Sequence, residues 1–204
     1  MKIKKQIKRE RAWRKNVIMV SLVIMAAIPY LIILLNDQGI FKGFETYISF
    51  SFVIIVDLLL LLNIIRILSD SFFEFTITSG RIRIRDRLFK KPIIVQADRV
   101  AYVDIARKPK EDFDIFIVIE KGKRQKNFQV LDDEFMKRHV QYKDVYNEFL
   151  EHHRGNEYYT YIIRKAGANK YYYLYLLYKN AYSSEFTKEA VVLVKRFMEE
   201  YNLA

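Results

Sequence analysis

Two long apolar segments near the start of the chain constrain its fold more than any other feature of the sequence. Residues 17–35 (VIMVSLVIMAAIPYLIILL) contain no charged side chain, and residues 48–65 (ISFSFVIIVDLLLLLNII) contain one acid, Asp57. A helix of the first length is roughly 28 Å long, which matches the hydrocarbon core of a bilayer. A buried helix of a soluble protein is one alternative, but such helices are seldom apolar on every side over this length. A cleaved signal peptide is the other, and it is not expected to precede a second apolar run. The sequence therefore predicts a transmembrane helical hairpin over residues 16–68.

The charges that flank the two segments predict their orientation. Residues 1–15 carry eight basic side chains and one acid, whereas the loop between the segments carries Lys42 against Asp37 and Glu45. Because cytoplasmic flanks are enriched in lysine and arginine, both termini are expected in the cytoplasm and the loop outside the cell membrane. The basic tail is expected to be disordered, with a helix on the headgroups as the alternative, and it attracts anionic lipid in either form.

Asp57 is the one ionisable side chain within the apolar segments. Counted inwards from the ends of each segment, it lies level with Ala26 and Ala27. An acid at the bilayer centre costs several kcal/mol unless it is paired, protonated or hydrated. Two interpretations stay open: Asp57 contacts a partner helix or a second copy of this chain, or it is a protonated acid that the hairpin hides against the two alanines. A transport role for one acid in two helices is not expected.

The net charge of +11 mainly reflects this topology. The tail supplies much of the excess, and residues 69–204 are only mildly basic, with 25 basic against 20 acidic side chains. Nucleic-acid binding usually needs a denser basic face or a recognisable module, so no nucleic-acid partner is expected. The sequence contains no cysteine, which excludes disulfides and thiolate metal sites.

Residues 69–204 are long enough for one domain, and their pattern predicts an α+β fold with antiparallel strands. Only residues 69–71 separate the second apolar segment from the first predicted strand. Residues 72–78 and 81–87 alternate in polarity on either side of a turn, which predicts a β-hairpin. Further strands are predicted over residues 92–95, 99–105, 113–120 and 125–131, with a polar loop over residues 107–114.

A helix is predicted to follow these strands. It is expected to begin at Asp132 or Asp133, either of which can cap it, and to run to about residue 153. Its predicted buried side consists of Phe135, Tyr142, Val145, Tyr146 and Phe149.

The C-terminal part is predicted to add two strands and a helix. Residues 157–164 and 170–179 read as a strand pair after a break at Gly155. Ser184 is the expected cap of a helix over residues 185–201. This helix is predicted to pack on the sheet through Phe186, Leu193, Val194 and Phe197.

A short turn motif marks the start of the predicted domain. Residues 77–81 (ITSGR) match an I-T-x-x-R turn, and residues 94–100 loosely match an I-P-L-x-x-I segment after a basic strand. With the basic tail and the hairpin, this order resembles that of bacterial pleckstrin-homology-like membrane proteins over about residues 1–152. The resemblance implies a split, strongly bent β-barrel closed by a helix, and it implies no catalytic residue. Residues 155–204 then either complete a seven-stranded barrel, which we prefer because five strands leave open edges, or form an appended subdomain.

Catalytic and metal-binding motifs are not recognisable in the chain. The adjacent pair His152 and His153 would point about 100° apart on a helix, so it does not converge on a metal ion. Phosphate-binding glycine loops and nucleophile motifs are also missing from the sequence. We therefore predict no metal site, no cofactor and no enzymatic activity.

Four arginines on the second predicted strand form the best candidate site. The arginine row consists of Arg81, Arg83, Arg85 and Arg87, which alternate with apolar residues and so share one face. Guanidinium groups suit phosphate and carboxylate, which makes the row a candidate for anionic lipid or an acidic partner. The alternative is the ordinary solvated face of an antiparallel strand. The tyrosine-rich residues 171–178 are interpreted as core rather than as a binding surface.

Three hypotheses for function follow. The first is a non-enzymatic membrane protein that presents an interaction domain at the cytoplasmic face and assembles or regulates other membrane proteins. Its partners would be membrane lipids and a protein partner or second copy held through the transmembrane helices. The second hypothesis is an anionic-lipid-binding module, and the third is a small subunit of a membrane enzyme or transporter. Asp57 bears on the first hypothesis and the arginine row on the second.

Overall fold

The computed structural model describes residues 2–86, 90–108, 112–120, 128–153 and 157–203. It contains two compact units. Lys8–Ser71 form the first, here called the helical unit, and Met1–Ile7 together with Phe72–Ala204 form the second, here called the α+β unit. The two apolar helices, the sheets and a C-terminal helix agree with the predicted α+β class.

Two helices contain the apolar segments. α1 is Ile3–Asp37 and α2 is Phe44–Ser71, and both are long and apolar enough to span a membrane. Only 6% and 11% of their most apolar windows are buried, unlike the core helices of a soluble protein. Because α1 begins at Ile3, the expected disorder of the basic tail is wrong, and residues 69–71 are helical rather than a connecting segment.

Within the helical unit, burial recurs every three or four residues along each helix. The buried or half-buried positions include Val17, Ser21, Met25, Ile28 and Ile32 on α1, and Thr46, Ser49, Val53, Leu60 and Ile64 on α2. This spacing is that of helices that each pack one stripe against a neighbour. A hydrogen bond of 3.0 Å from Thr46 Oγ1 to Asn36 Oδ1 joins the helices beside their connecting loop.

A three-stranded antiparallel sheet opens the α+β unit. Its strands are β1 (Glu74–Thr78), β2 (Arg81–Arg85) and β3 (Ile93–Gln96), in that spatial order. Ser79 and Gly80 form the turn between β1 and β2 with φ of 52° and 70°, as a two-residue hairpin turn with both central residues at positive φ requires. The predicted hairpin and its alternation are therefore confirmed.

A five-stranded sheet forms the centre of the unit. Its strands are β4 (Val100–Lys108), β5 (Asp112–Glu120), β6 (Gln129–Val130), β7 (Tyr158–Ile163) and β8 (Glu185–Phe186). The spatial order is β6-β7-β5-β4-β8, with every pair antiparallel except β4 and β8.

This arrangement corrects the barrel prediction. Among the described residues the strands form two separate sheets and no closed barrel, because β7 inserts beside β5 in an open sheet. The loop expected over residues 107–114 is also shorter, since β4 continues to Lys108 and β5 begins at Asp112. The first three residues of the strand predicted over residues 125–131, and the break at Gly155, lie outside the described residues, and in the rest of that range the strand is limited to Gln129–Val130.

One face of the five-stranded sheet is covered by helices from the middle of the chain. They are α3 (Asp133–Arg138), a 3-10 turn (Val140–Tyr142) and α4 (Lys143–His152). The predicted single helix is thus interrupted at His139, while its predicted cap Asp132 accepts a 2.7 Å bond from the Phe135 N–H. All five residues predicted for its buried side are buried.

The tyrosine-rich segment forms a helix, so the strand predicted over residues 170–179 is wrong. α5 is Asn169–Asn180, and its buried residues include Lys170, Tyr171, Leu174 and Leu177. These positions repeat every three or four residues, whereas tyrosine fits either a strand or a helix by composition alone. Packing against β1, β5 and the last helix decides in favour of the helix.

The last helix begins later than predicted. α6 is Lys188–Tyr201, and its cap is Thr187, whose hydroxyl accepts a 3.3 Å bond from the Ala190 N–H. Ser184 instead donates to the carbonyl of Val100 at 2.6 Å, and Phe186 lies on β8 rather than on the helix. Phe197 is 2% exposed, as its predicted packing requires.

The first residues of α1 belong to the α+β unit. Ile3 is buried in its core, and the N–H groups of Ile3 and Lys4 each donate to the Glu200 carboxylate at 2.7 Å. The Lys4 ammonium lies 4.6 Å from the centre of the Tyr201 ring. Burial raises the pKa of Glu200, but the hydrogen bonds from Lys4 and Ile3 and the charges of Lys4 and Arg196 outweigh it and hold the pKa below its usual range. The helix N-terminus is therefore capped by a carboxylate from the far end of the chain.

Candidate binding sites

The arginine row lies on the outer face of the three-stranded sheet. Arg81 and Arg83 are exposed, and Arg85 is half-buried with its Nη1 3.8 Å from Glu74 Oε2 on the neighbouring strand. Arg87 lies outside the described residues. Within the described part of the row, two guanidinium groups therefore face solvent without an acidic partner.

A cleft of about 840 Å³ lies against the five-stranded sheet of the same unit. β4 forms its floor, α4 forms one wall, and β8 with the first turn of α6 forms the other. The acids that line it are Asp104, Asp144, Glu148, Glu185 and Glu189. We call this site the acidic cleft.

Asp104 is the buried acid on the floor of the acidic cleft. It is 5% exposed, and its Oδ1 accepts bonds of 2.6 Å from the Thr187 hydroxyl and from the Ile105 N–H. Burial raises the pKa of Asp104, and the charges of Glu148 and Glu189 raise it further against the effect of the two hydrogen bonds. Both donors are neutral, and among the described residues no cation is paired with this carboxylate.

Tyr102 lies beside Asp104 on the same face of β4. Its side chain is 1% exposed, and its hydroxyl has no hydrogen-bond partner among the described residues. Burial raises the pKa of this hydroxyl, and the charges of Asp104, Glu148 and Glu185 add to the effect. A buried hydroxyl without a partner is costly, which makes this one a ready hydrogen-bonding group for a ligand in the acidic cleft.

The described residues that line the acidic cleft carry a net negative charge, although the unit as a whole is basic. Against its five acids stand Arg107 and Lys188, and Arg107 Nε is already bonded to Glu189 Oε2 at 3.0 Å. Glu185 lies 3.8 Å from the ring of His153, which is stacked on Phe149. The acids come from four elements that are distant in the sequence, so no local pattern predicts the site as a whole.

The floor of the acidic cleft is also an open sheet edge. β8 pairs only with Tyr102 and Val103 of β4. From Asp104 to Lys108, no described strand lies on that side of β4. Because the Val103 carbonyl accepts from the Thr187 N–H on that side, the outward-directed backbone groups beyond it belong to Ile105 and Arg107, and the Ile105 N–H is already bonded to the Asp104 carboxylate.

A second group of buried charges is compensated within the fold. Lys170 is fully buried, and its Nζ lies 2.8 Å from Asp112 Oδ1 and 3.6 Å from Asp114 Oδ1. Asp114 Oδ2 also accepts a 2.7 Å bond from the Tyr142 hydroxyl and lies 2.8 Å from Lys108 Nζ. This ionic cluster joins α5 and the 3-10 turn to β5, and we interpret it as structural.

Asp57 is half-buried within the helical unit. Its Oδ1 is enclosed and has no hydrogen-bond partner among the described residues. Ala26 and Ala27, the predicted neighbours in depth, are exposed. Asp57 therefore has an oxygen without a hydrogen-bond partner among the described residues, which both open interpretations allow.

Across the described ranges, no group of three histidine or acidic side chains is placed to hold a metal ion.

Comparison of the chain with protein-family models, curated proteins and solved structures found no match. The resemblance to pleckstrin-homology-like membrane proteins therefore stays a prediction.

Proposed function

We propose that this chain is a two-span membrane protein with both termini in the cytoplasm, whose α+β unit is a non-enzymatic binding module. The module assembles or regulates other membrane proteins at the inner face of the cell membrane. This is the first of the three functional hypotheses, and the pleckstrin-homology-like relationship is part of the same proposal.

The exposed apolar surface of the helical unit carries this proposal. Outside the stripes that pack, large aliphatic and aromatic side chains are exposed along residues 19–34 of α1 and along residues 44–68 of α2. Such a surface is unstable in water and suits lipid tails. The basic residues 1–15 on one flank then favour a cytoplasmic N-terminus.

The charge distribution of the α+β unit supports a binding role. Two exposed arginines lie on the outer face of one sheet, and an acidic cleft lies against the other. Opposite charges on separate faces allow a domain to contact two kinds of surface, since electrostatic complementarity steers and orients partners.

Reporter fusions test the topology. A reporter at residue 40 is expected outside the membrane and one at residue 204 inside. The reverse pattern would contradict the proposed cytoplasmic module.

Crosslinking of the full chain in membranes tests the assembly role of Asp57. Asp57→Leu is expected to insert normally, since it makes α2 more apolar, and to reduce recovery of a crosslinked partner or second copy. Asn63→Leu, which replaces an exposed polar residue in the apolar part of the same helix, is the matched control. Equal crosslinking by wild type and Asp57→Leu would favour the tolerated acid.

Anionic-lipid binding by the arginine row is the alternative function. The exposure of Arg81 and Arg83 side by side on β2 favours it, because a basic residue near an anionic surface gains about 1 kcal/mol. Truncation at residue 69 would remove Ile3 from the core, so the test uses the full chain in nanodiscs. Hydrogen exchange of β2 that is slower in anionic than in neutral nanodiscs would support lipid binding by the row. This difference is expected to be lost in Arg81→Gln/Arg83→Gln and kept in the control variant Lys137→Gln/Lys143→Gln. Equal exchange in both lipids would leave the row as a solvated strand face.

A further inference from the structure

We infer that the acidic cleft binds an extended, lysine- or arginine-bearing segment of a protein partner, which lies along the open edge of β4. This inference rests on the proposed function as a binding module and names the chemistry of its partner. It concerns a different surface from the arginine row and from Asp57.

Charge is the first argument. The acidic cleft combines five acids with two bases, and one of the bases is paired with Glu189. The surrounding unit is basic, so the cleft is a local exception rather than part of a general acidic surface. A partner with several positive charges would match this distribution, and the match would favour it over neutral or acidic segments.

Two buried groups on the floor point to a specific ligand. Asp104 has neutral donors on Oδ1, and none of the described residues donates to its Oδ2. The Tyr102 hydroxyl, close to Asp104, lacks any hydrogen-bond partner in the described part of the chain. An ammonium or guanidinium group between them would be a donor for both oxygens, and a charged donor makes stronger hydrogen bonds than a neutral one.

The shape of the acidic cleft favours an extended segment over a single ion. Its volume of about 840 Å³ far exceeds the space of one hydrated ion, and its acids stand on separate walls. The described residues include no cluster of three ligands placed around one point. Lysine and arginine stems can lie on the floor at Ala106 while their charges reach the walls.

The open edge of β4 favours a peptide over a polyamine. From Ile105 to Lys108 no described strand lies beside β4 on the side of the cleft, while Thr187 occupies the position next to Asp104. A peptide that adds a strand there gains main-chain hydrogen bonds that a polyamine cannot make, and its alternate side chains face the carboxylates. Addition of a strand to an exposed sheet edge is a common mode of peptide recognition.

The test measures peptide binding to the full chain in a neutral detergent. The probe is a fluorescent peptide of about ten residues in which lysine alternates with threonine, the length of one strand addition. Fluorescence anisotropy at low and physiological salt gives the affinity. Binding that weakens with salt is expected, together with no binding of the peptide in which glutamate replaces lysine.

Variants locate the binding. Glu148→Gln/Glu185→Gln is expected to weaken binding by about tenfold or more, since one partly exposed ion pair changes affinity up to about fivefold. Glu151→Gln/Glu199→Gln removes two exposed acids of α4 and α6 that do not line the cleft, and is expected to leave the affinity unchanged. Equal affinities of the two variants would overturn the assignment to the acidic cleft.

Backbone N-methylation of the peptide tests the strand arrangement. An added strand directs alternate N–H groups towards β4, so methylation of one alternate set is expected to abolish binding and methylation of the other to preserve it. Equal binding by both methylated peptides would overturn the inference in favour of a small-cation site. Full displacement of the peptide by spermine or Mg²⁺, added at the same concentration of positive charge, would do so as well. Failure of the wild type to bind any lysine peptide would overturn this inference alone, because the crosslinked partner and the topology test the proposed function separately.

Discussion

Two buried aspartates on neighbouring strands of the five-stranded sheet have opposite surroundings. Asp114 on β5 has the cations of Lys108 and Lys170 within 4 Å and a hydroxyl donor, Tyr142. Asp104 on β4 has two neutral donors, and the charges that shift its pKa come from other acids. A buried charge that the fold compensates contributes to architecture, whereas one that it leaves uncompensated is available to a ligand.

The largest effect is expected at the compensated aspartate. Lys170→Met removes the cation shared by Asp112 and Asp114 and leaves buried carboxylate charge behind, which costs about 3–5 kcal/mol when one partner of a buried pair is lost. Thermal unfolding of the full chain in detergent measures the loss. Lys179→Met, at an exposed position of the same helix, is the control and is expected to change stability by less than about 1 kcal/mol. Equal stability of the two variants would remove the distinction between the aspartates.

A smaller loss is expected when the hydroxyl of the same cluster is removed. Tyr142→Phe deletes the 2.7 Å bond to Asp114 in a buried site, and a hydrogen bond to a charged group contributes about 1.5–3 kcal/mol. Tyr146→Phe is the matched control, because its hydroxyl reaches Asp133 at 3.3 Å in a less enclosed position. The control is expected to lose less stability than Tyr142→Phe in the same unfolding measurement. If both substitutions were neutral, the cluster would not be structural.

The uncompensated aspartate is expected to respond with the opposite sign. In Asp104→Asn, Oδ1 can still accept from Thr187 and Ile105, while the repulsion by Glu148 and Glu189 disappears. Stability at neutral pH is therefore expected to rise by up to about 1 kcal/mol, the scale of one partly exposed charge interaction. Because the pKa of Asp104 is raised by burial, the wild type loses this penalty as pH falls through that pKa, and the difference between the two proteins should vanish in acid. A wild type that stays less stable than the variant at low pH would contradict this account.

The same contrast explains which features the sequence could predict. The alternation of charged and apolar residues in β2 is local, so the strand and the shared face of its arginines follow from it. Residues 170–179 carry amphipathic tyrosines that suit a strand or a helix, and the burial of Lys170 among aspartates of β5 is a tertiary property. In the acidic cleft Asp104 lies next to Thr187, which is 83 positions away in the sequence. The periodicity of a helix or strand relates only residues within one element, so it does not predict this contact. An isolated acid within the apolar strand YVDIA was the one local signal for it.

Glu200 provides a third kind of compensation and the smallest expected effect. Its carboxylate is held by peptide N–H groups of Ile3 and Lys4, which have no acceptor within their own helix. Glu200→Gln keeps only one acceptor oxygen and removes the charge, so a loss of about 0.3–1 kcal/mol is expected, as for other carboxylates at helix N-termini.

The pH dependence separates Glu200 from Asp104. The pKa of Glu200 is lowered, so its stabilising contribution is complete above the ordinary glutamate pKa of about 4.3 and is lost as pH falls through the folded value. The amide protons of Ile3 and Lys4 report this locally, and their protection from hydrogen exchange is expected to fall in Glu200→Gln and, in the wild type, in acid. Glu199→Gln, at an exposed neighbouring position, controls for the change of charge on α6. Equal protection in all three proteins would show that the Glu200 cap does not stabilise the start of α1. Only the contrast between the compensated Asp114 and the uncompensated Asp104 would then remain.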